Sequence, residues 1–391
     1  NSSSSQQKLT FSLKESLILD AEVHLVDIYV PHGALSSFSS SIPYTDVVGK
    51  FCRIDWELHK MDPSSYPMYK DLVANSENCD NGSVIEMDLH TIVQKAKEYD
   101  FSSDAAAAAI TNVKSMKPTG FVFHESRCGS TLVANALAVL DPAKTRVYSE
   151  SAPPLAAARA CENDKSCNHR KNAVQLLHDV IYLMGRTNDP YETSLFFKIQ
   201  SVGTHSIRLF KEAYPDTPWI FVFREPVQIM MSHLKDNVGD RAVCLRSKNF
   251  PHRNLKRLVE ERFHGTRSIH SLSNEEFCAA HLATLCRSAL LELSTAASTE
   301  SLGKLVNYKD IPDALITNII PDHFHVDIDE DGEERIMEIS QKYSKGRNTR
   351  ARVWEEDSEQ KEKIASEEVI MASKTFLEPI FEELQNLAVA V

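Results

Sequence analysis

Two stretches of this chain combine a buried apolar run with polar groups suited to holding anions. The first is FVFHESRCGSTLVANAL, where a strand-like run ends in a short polar loop. Gly129, Ser130 and Thr131 then open an Ala/Leu-rich helix. Such a turn aims backbone N–H groups and the positive end of the helix at an anion. A nucleotide triphosphatase would place Lys after the glycine, and that Lys is missing. Arg127 is the cation at hand, and its fork can span two oxygens of a phosphate or sulfate. The second stretch is WIFVFREPVQIMMSHL, a strand-like run followed by Arg224, Glu225 and Pro226, with Ser232 eight residues after the arginine. Pro226 suits the first turn of a helix. Arg224 and Ser232 can then clamp one phosphate, or Arg224 can cap the sheet while Ser232 bonds back to its own helix.

Other residues gain meaning beside these. Glu150 follows the strand-like TRVYS in VYSESAPPL, either as a buried or capping carboxylate or as a group free for chemistry. Lys198 ends SLFFK, where it is either a site cation or a lysine reaching to solvent from a strand end. His205 is a weaker base candidate, and His124 and His233 read as structural. Late in the chain, Tyr343-Ser344-Lys345-Gly346-Arg347 is a basic loop.

The elements that must position these groups follow from patterning. From Gly120 onward, short apolar runs (120–124, 145–149, 194–199, 219–223 and 304–308) alternate with amphipathic segments, the pattern of a parallel sheet wrapped by helices. The longest predicted helix is 274–296, with Ser273 and Glu276 forming a capping box. Residues 1–117 mix short β-like runs, such as 21–30, with Pro/Ser/Asn-rich turns, and read as an α+β appendage. An Ala run at 105–109, capped by Asp104, starts a helix there. The division is therefore 1–117 and 118–391, an α/β protein with an N-terminal α+β appendage.

Composition narrows the function classes. The chain has 391 residues and a net charge of −12, with 42% apolar and 25% charged residues. That charge argues against general nucleic-acid binding, whose affinity comes from neutralising phosphates. The 241–270 segment runs against it with eight Lys or Arg, read as a solvated basic face or a local anion site. No run reaches the roughly 18 apolar residues of a membrane helix. The eight cysteines lack metal-ligand spacing, so no metal is expected. Cys161 and Cys167 bracket a polar loop and could bridge, Asn81-Gly82-Ser83 is a glycosylation sequon, and the balance favours a reducing cytoplasmic interior over the Golgi lumen.

Taken together, the two anion-binding stretches resemble the sulfotransferase family. Arg127-Cys128-Gly129-Ser130-Thr131 resembles its 5′-phosphosulfate loop, and the Arg224 to Ser232 interval its 3′-phosphate segment. The resemblance spans roughly 118–347. It implies a P-loop-like fold and 3′-phosphoadenosine 5′-phosphosulfate (PAPS) as donor, with 3′-phosphoadenosine 5′-phosphate (PAP) as product. The acceptor would be a small-molecule or glycan hydroxyl or amine. It also implies that Glu150, Arg127 and Lys198 are catalytic and that Lys345 and Arg347 close over the nucleotide. LVNYKDIPDAL resembles the family's Tyr-Glu-Asp-Leu segment, with Asp310 in place and Lys309 departing from it. A nucleotide kinase or hydrolase on the same fold, or a silent nucleotide-binding relative, is the alternative.

Overall fold

The computed structural model describes residues 12–36, 42–77, 79, 83–101, 113–161, 170–234, 242–294, 302–342, 344–345 and 358–389. The Ala105–Ala109 run, Asn81, Cys167, Arg241 and Arg347 lie outside them. Strands among the described residues are, in chain order, β1 (His24–Tyr29), β2 (Val48–Cys52), β3 (Ile85–Asp88), β4 (Lys114–Ser115), β5 (Gly120–His124), β6 (Thr145–Ser149), β7 (Arg186–Thr187), β8 (Ser194–Lys198), β9 (Trp219–Phe223) and β10 (Gly303–Asn307).

The chain divides into two compact units. One comprises residues 1–56, 72–117 and 152–193, the other 57–71, 118–151 and 194–391. The first is built on an antiparallel sheet, β1-β2-β3, with β4 and β7 paired separately. The helix Leu89–Asp100 follows β3 directly, because the Asp88 carboxylate caps it by accepting the Thr91 N–H at 2.8 Å. Arg186 is buried in this unit. It donates to Asp100 Oδ2 at 2.9 Å, to Asp100 Oδ1 at 2.7 Å, and to the carbonyls of Ile18 and Leu19 at 2.7 and 2.6 Å.

The second unit carries the predicted parallel sheet, flanked by helices, in the order β10-β9-β5-β8-β6. Each of β5, β6, β8 and β9 is buried along its whole length. Helices cover both faces of such a sheet, so its strands read as continuous apolar runs rather than as alternation. Phe121 and Phe123 of β5 pack edge-on against Phe210, at 5.3 and 5.4 Å between ring centroids. Each fully buried aromatic of this kind stabilises by roughly 1.5–3 kcal/mol, which fixes the strand ends that carry the site. The helix predicted over 274–296 runs Asn274–Ser294. Its capping box is present, the Glu276 N–H donating to Ser273 Oγ at 3.1 Å and the Ser273 N–H to Glu276 Oε2 at 3.0 Å. Within the basic segment, Arg267 pairs with Glu276 and Arg257 with Glu261, both at 2.7 Å.

Successive strands lie on both sides of β5. The sheet therefore has a topological switch point at β5, and the carboxyl ends there form the crevice where ligands bind in open α/β sheets.

Cys52 bonds Cys79 and Cys244 bonds Cys278, and Cys161 is also disulfide-bonded. Among the described residues, no helix is long and apolar enough to cross a membrane.

Candidate active site

Every described residue singled out for chemistry falls in the second unit, most of them at or just beyond a strand's carboxyl end. After β5 the backbone turns through three left-handed residues in four: Ser126 (φ 82°), Arg127 (φ 52°) and Gly129 (φ 85°). Gly129 is required twice over. Its φ is one that side chains rarely adopt, and an added Cβ would lie 2.3 Å from Cδ2 of Tyr308. It is also the N-cap of the helix Ser130–Leu140; no side chain caps it, and the Leu132 N–H donates to the Gly129 carbonyl at 2.8 Å, so the N–H groups of Ser130 and Thr131 suit an anion. Arg127 is exposed at the loop's tip, while Ser130 and Thr131 are buried. The Cys128 thiol points inward and donates to the Val222 carbonyl at 3.1 Å, so only its backbone can face a ligand.

The second turn lies against the first. Glu125, buried at the end of β5, accepts the Arg224 backbone N–H on Oε2 at 3.3 Å. Burial pushes its carboxyl up to about 8, the Arg224 N–H opposing and Glu225 adding to the rise. The Arg224 guanidinium stacks over the Tyr308 ring, 4.2 Å from its centroid. It donates to Gln228 Oε1 at 3.0 Å and to Ser358 Oγ at 2.9 Å. Tyr308 thus touches both turns, packing on Gly129 and on Arg224. A cavity of about 450 Å³ opens beside them, lined by Leu132, Arg224, Gln228, Tyr308, Lys309 and Ser358 among others. That volume lies within the range of small-molecule sites. Ser232 does not face Arg224 as a donor, because its hydroxyl bonds back to the Gln228 carbonyl at 2.8 Å.

Glu150 sits beyond β6 in a left-handed conformation (φ 54°), its N–H donating to the Lys198 carbonyl at 2.7 Å. The parallel register sets Ser149 against Lys198, so the carboxylate and the ammonium of Lys198 meet in an ion pair. The Lys198 side chain is 1% exposed and that of Glu150 29%. Met68 covers the lysine, with its Sδ 4.0 Å from Nζ. His124 Nε2 lies 3.6 Å from Glu150 Oε1. Burial pushes the Glu150 carboxyl up, yet Lys198 first, then His124 and Lys345, pull it down to about 2. Lys345 therefore acts on this carboxylate from the late loop, whose Ser344 carbonyl accepts from Asn135 Nδ2 of the helix Ser130–Leu140 at 3.1 Å.

His205 bonds Ser288 Oγ at 3.0 Å and stacks on His252 at 4.2 Å between centroids. His124 and His233, set aside as structural, both adjoin the site. Burial, with Arg127's charge next, pushes His233 down to about 3. Tyr308 was quoted only as part of a motif. Nothing local signals that its ring joins two turns so distant in the chain.

No family model matches the chain, and no curated protein matches it. Among solved structures it is similar to the sulfotransferase domain from the curacin biosynthetic pathway, at 12% identity and a TM-score of 0.35, over 71% of this chain and 98% of that one. It is also similar to the sulfotransferase domain from the Synechococcus PCC 7002 olefin synthase, at 14% identity and a TM-score of 0.37, over 67% of this chain and 95% of that one.

Proposed function

We propose that this protein is a PAPS-dependent sulfotransferase acting on a hydroxyl or amine. The observation that carries this reading is the convergence of the Gly129 loop and the Arg224 turn on Tyr308, with an ion-paired carboxylate on the same sheet edge. The residues fit the donor. The left-handed turn through Ser126, Arg127 and Gly129, which opens the helix Ser130–Leu140 without a side-chain cap, suits the 5′-phosphosulfate, together with Ser130, Thr131 and the Cys128 backbone. The buried Arg224 guanidinium suits the 3′-phosphate, with Ser232 joining once its hydroxyl leaves the Gln228 carbonyl. The donor supplies a sulfuryl group: a sulfur–oxygen bond, or sulfur–nitrogen for an amine, forms to the acceptor while the sulfur–oxygen bond to the 5′-phosphate breaks, its electron pair staying on the phosphate oxygen.

This chain's residues supply the rest. Glu150 is ionised at neutral pH and takes the acceptor's proton. Lys198 and Arg127 balance charge where it develops, with Lys345, and Arg347 of the same loop, closing over the nucleotide. No metal has a role in this scheme. The disulfides support an oxidising lumen, such as the Golgi, and hence a glycan or other lumenal acceptor.

The test is direct. PAP should raise the melting temperature without Mg²⁺, and ATP with Mg²⁺ should not. Arg224→Ala should weaken PAP binding by about 100-fold or more in calorimetry, since it strips charge from a desolvated phosphate. A response to Mg-ATP alone would favour a kinase, and unchanged PAP affinity in the variant would remove Arg224 from the site.

A further inference from the structure

His124 closes β5, and its ring chemistry is fixed by what surrounds it. Nδ1 accepts the Ser126 N–H at 3.0 Å, so the neutral imidazole carries its proton on Nε2. Nε2 is buried with no hydrogen-bond partner and lies 3.6 Å from Oε1 of Glu150. The Lys198 ammonium meets the same oxygen. His124 and Lys198 side chains are 4% and 1% exposed, against 29% for Glu150, so solvent reaches the carboxylate while both donors are buried. Four groups act on the ring: the charges of Lys198, Glu150 and Lys345, and the carbonyl of Ile199. Burial, then Lys198 and Lys345, push His124 down to about 3, with Glu150 and Ile199 opposing, which keeps it neutral across the physiological range.

A ring whose Nδ1 lone pair is held by a backbone N–H, and whose Nε2 carries the proton, is a donor and no base. A shift of about half an ångström brings its N–H within bonding distance of Oε1. We propose that His124 is a positioning residue for the transfer: its Nε2–H and the Lys198 ammonium together hold Oε1 of Glu150, so that Oε2 takes the acceptor's proton. The inference rests on the proposed sulfuryl transfer, and it assigns the two carboxylate oxygens different tasks.

Two measurements on the full chain test it. Long-range ¹H–¹⁵N spectra of histidine-labelled protein, with the His124 signals identified by their loss in His124→Phe, should show the Nε2–H tautomer, neutral from pH 5 to 8. An Nδ1–H tautomer, or an imidazolium at pH 6, overturns the proposal. The second measurement follows sulfate release from ³⁵S-labelled PAPS with water as acceptor. His124→Phe keeps the ring's bulk without a donor and should slow release by about 10- to 100-fold while PAP affinity stays within about twofold. His124→Gln restores an N–H near Nε2 and should recover part of the rate. Full turnover in the Phe variant, or no recovery in the Gln variant, overturns it. A wild-type protein that neither binds PAP nor releases sulfate above the rate in buffer instead removes the sulfotransferase reading, and this inference with it.

Discussion

Two buried cation–carboxylate pairs in this molecule differ in how far their bonding capacity is filled, one saturated and one open. In the first unit, Arg186 donates to both oxygens of Asp100 and to two carbonyls. The side chains of Arg186 and Asp100 are 2% and 6% exposed, and their bonding capacity is close to filled. In the second unit, Lys198 is as deeply buried, but its partner Glu150 is 29% exposed on a left-handed backbone, and the neighbouring His124 Nε2 lacks a hydrogen bond. A saturated pair holds the fold. An open pair keeps a strained backbone and an unmet donor in place, which a stability-only role does not explain.

The strongest way to break this contrast is Glu150→Gln. Turnover should fall by about 10²–10⁴-fold with PAP affinity nearly unchanged and little loss of melting temperature. A variant with full turnover would move the base elsewhere and make the Lys198 pair structural after all.

Arg186→Ala should do the opposite. It leaves Asp100 buried without its cation, costing about 3–5 kcal/mol in denaturant unfolding, while PAP affinity per folded molecule holds. A loss below about 1 kcal/mol would mean that the saturated pair holds little.

A smaller effect sharpens the electrostatics of the open site. Burial holds His124 and His233 down to about 3 and His281 to about 4, so the folded state keeps all three neutral. An unfolded chain protonates them near pH 6.5, binding more protons than the native state between about pH 6.5 and 3. The contribution of these histidines is therefore full above pH 6.5 and is lost as pH falls through that window. Glu150, with its folded value lowered to about 2, adds a further loss below about pH 4. Melting temperatures across pH 3–8 should fall with acid from about pH 6, and a flat profile to pH 4.5 would contradict the buried neutral histidines.

Much of the sheet was legible beforehand. GFVFH, TRVYS and WIFVF each announce a strand buried on both faces, and each is one over the predicted residues. The Ser273–Glu276 box fixed a helix start because capping is local. The site was legible only in part. Arg127, Gly129 and Arg224 stand out by residue type and spacing, and Glu150 and Lys198 through the family resemblance. Ser232 carried two readings, and its hydroxyl makes the helix back-bond. The cysteine pairings were missed because partners 27 and 34 residues apart leave no local mark.

By itself, the sequence determined which segments become strands, where the left-handed glycine stands, and which cations end up beside the sheet's edge. Those outcomes depend on neighbours a few residues away, through apolar runs, caps and backbone sterics. Only the tertiary structure decided that Tyr308 joins two turns, that Lys198 meets Glu150, and that His124 offers a proton rather than taking one. Those depend on strand order and register, which bring residues distant in the chain within bonding reach and set how much water each group keeps.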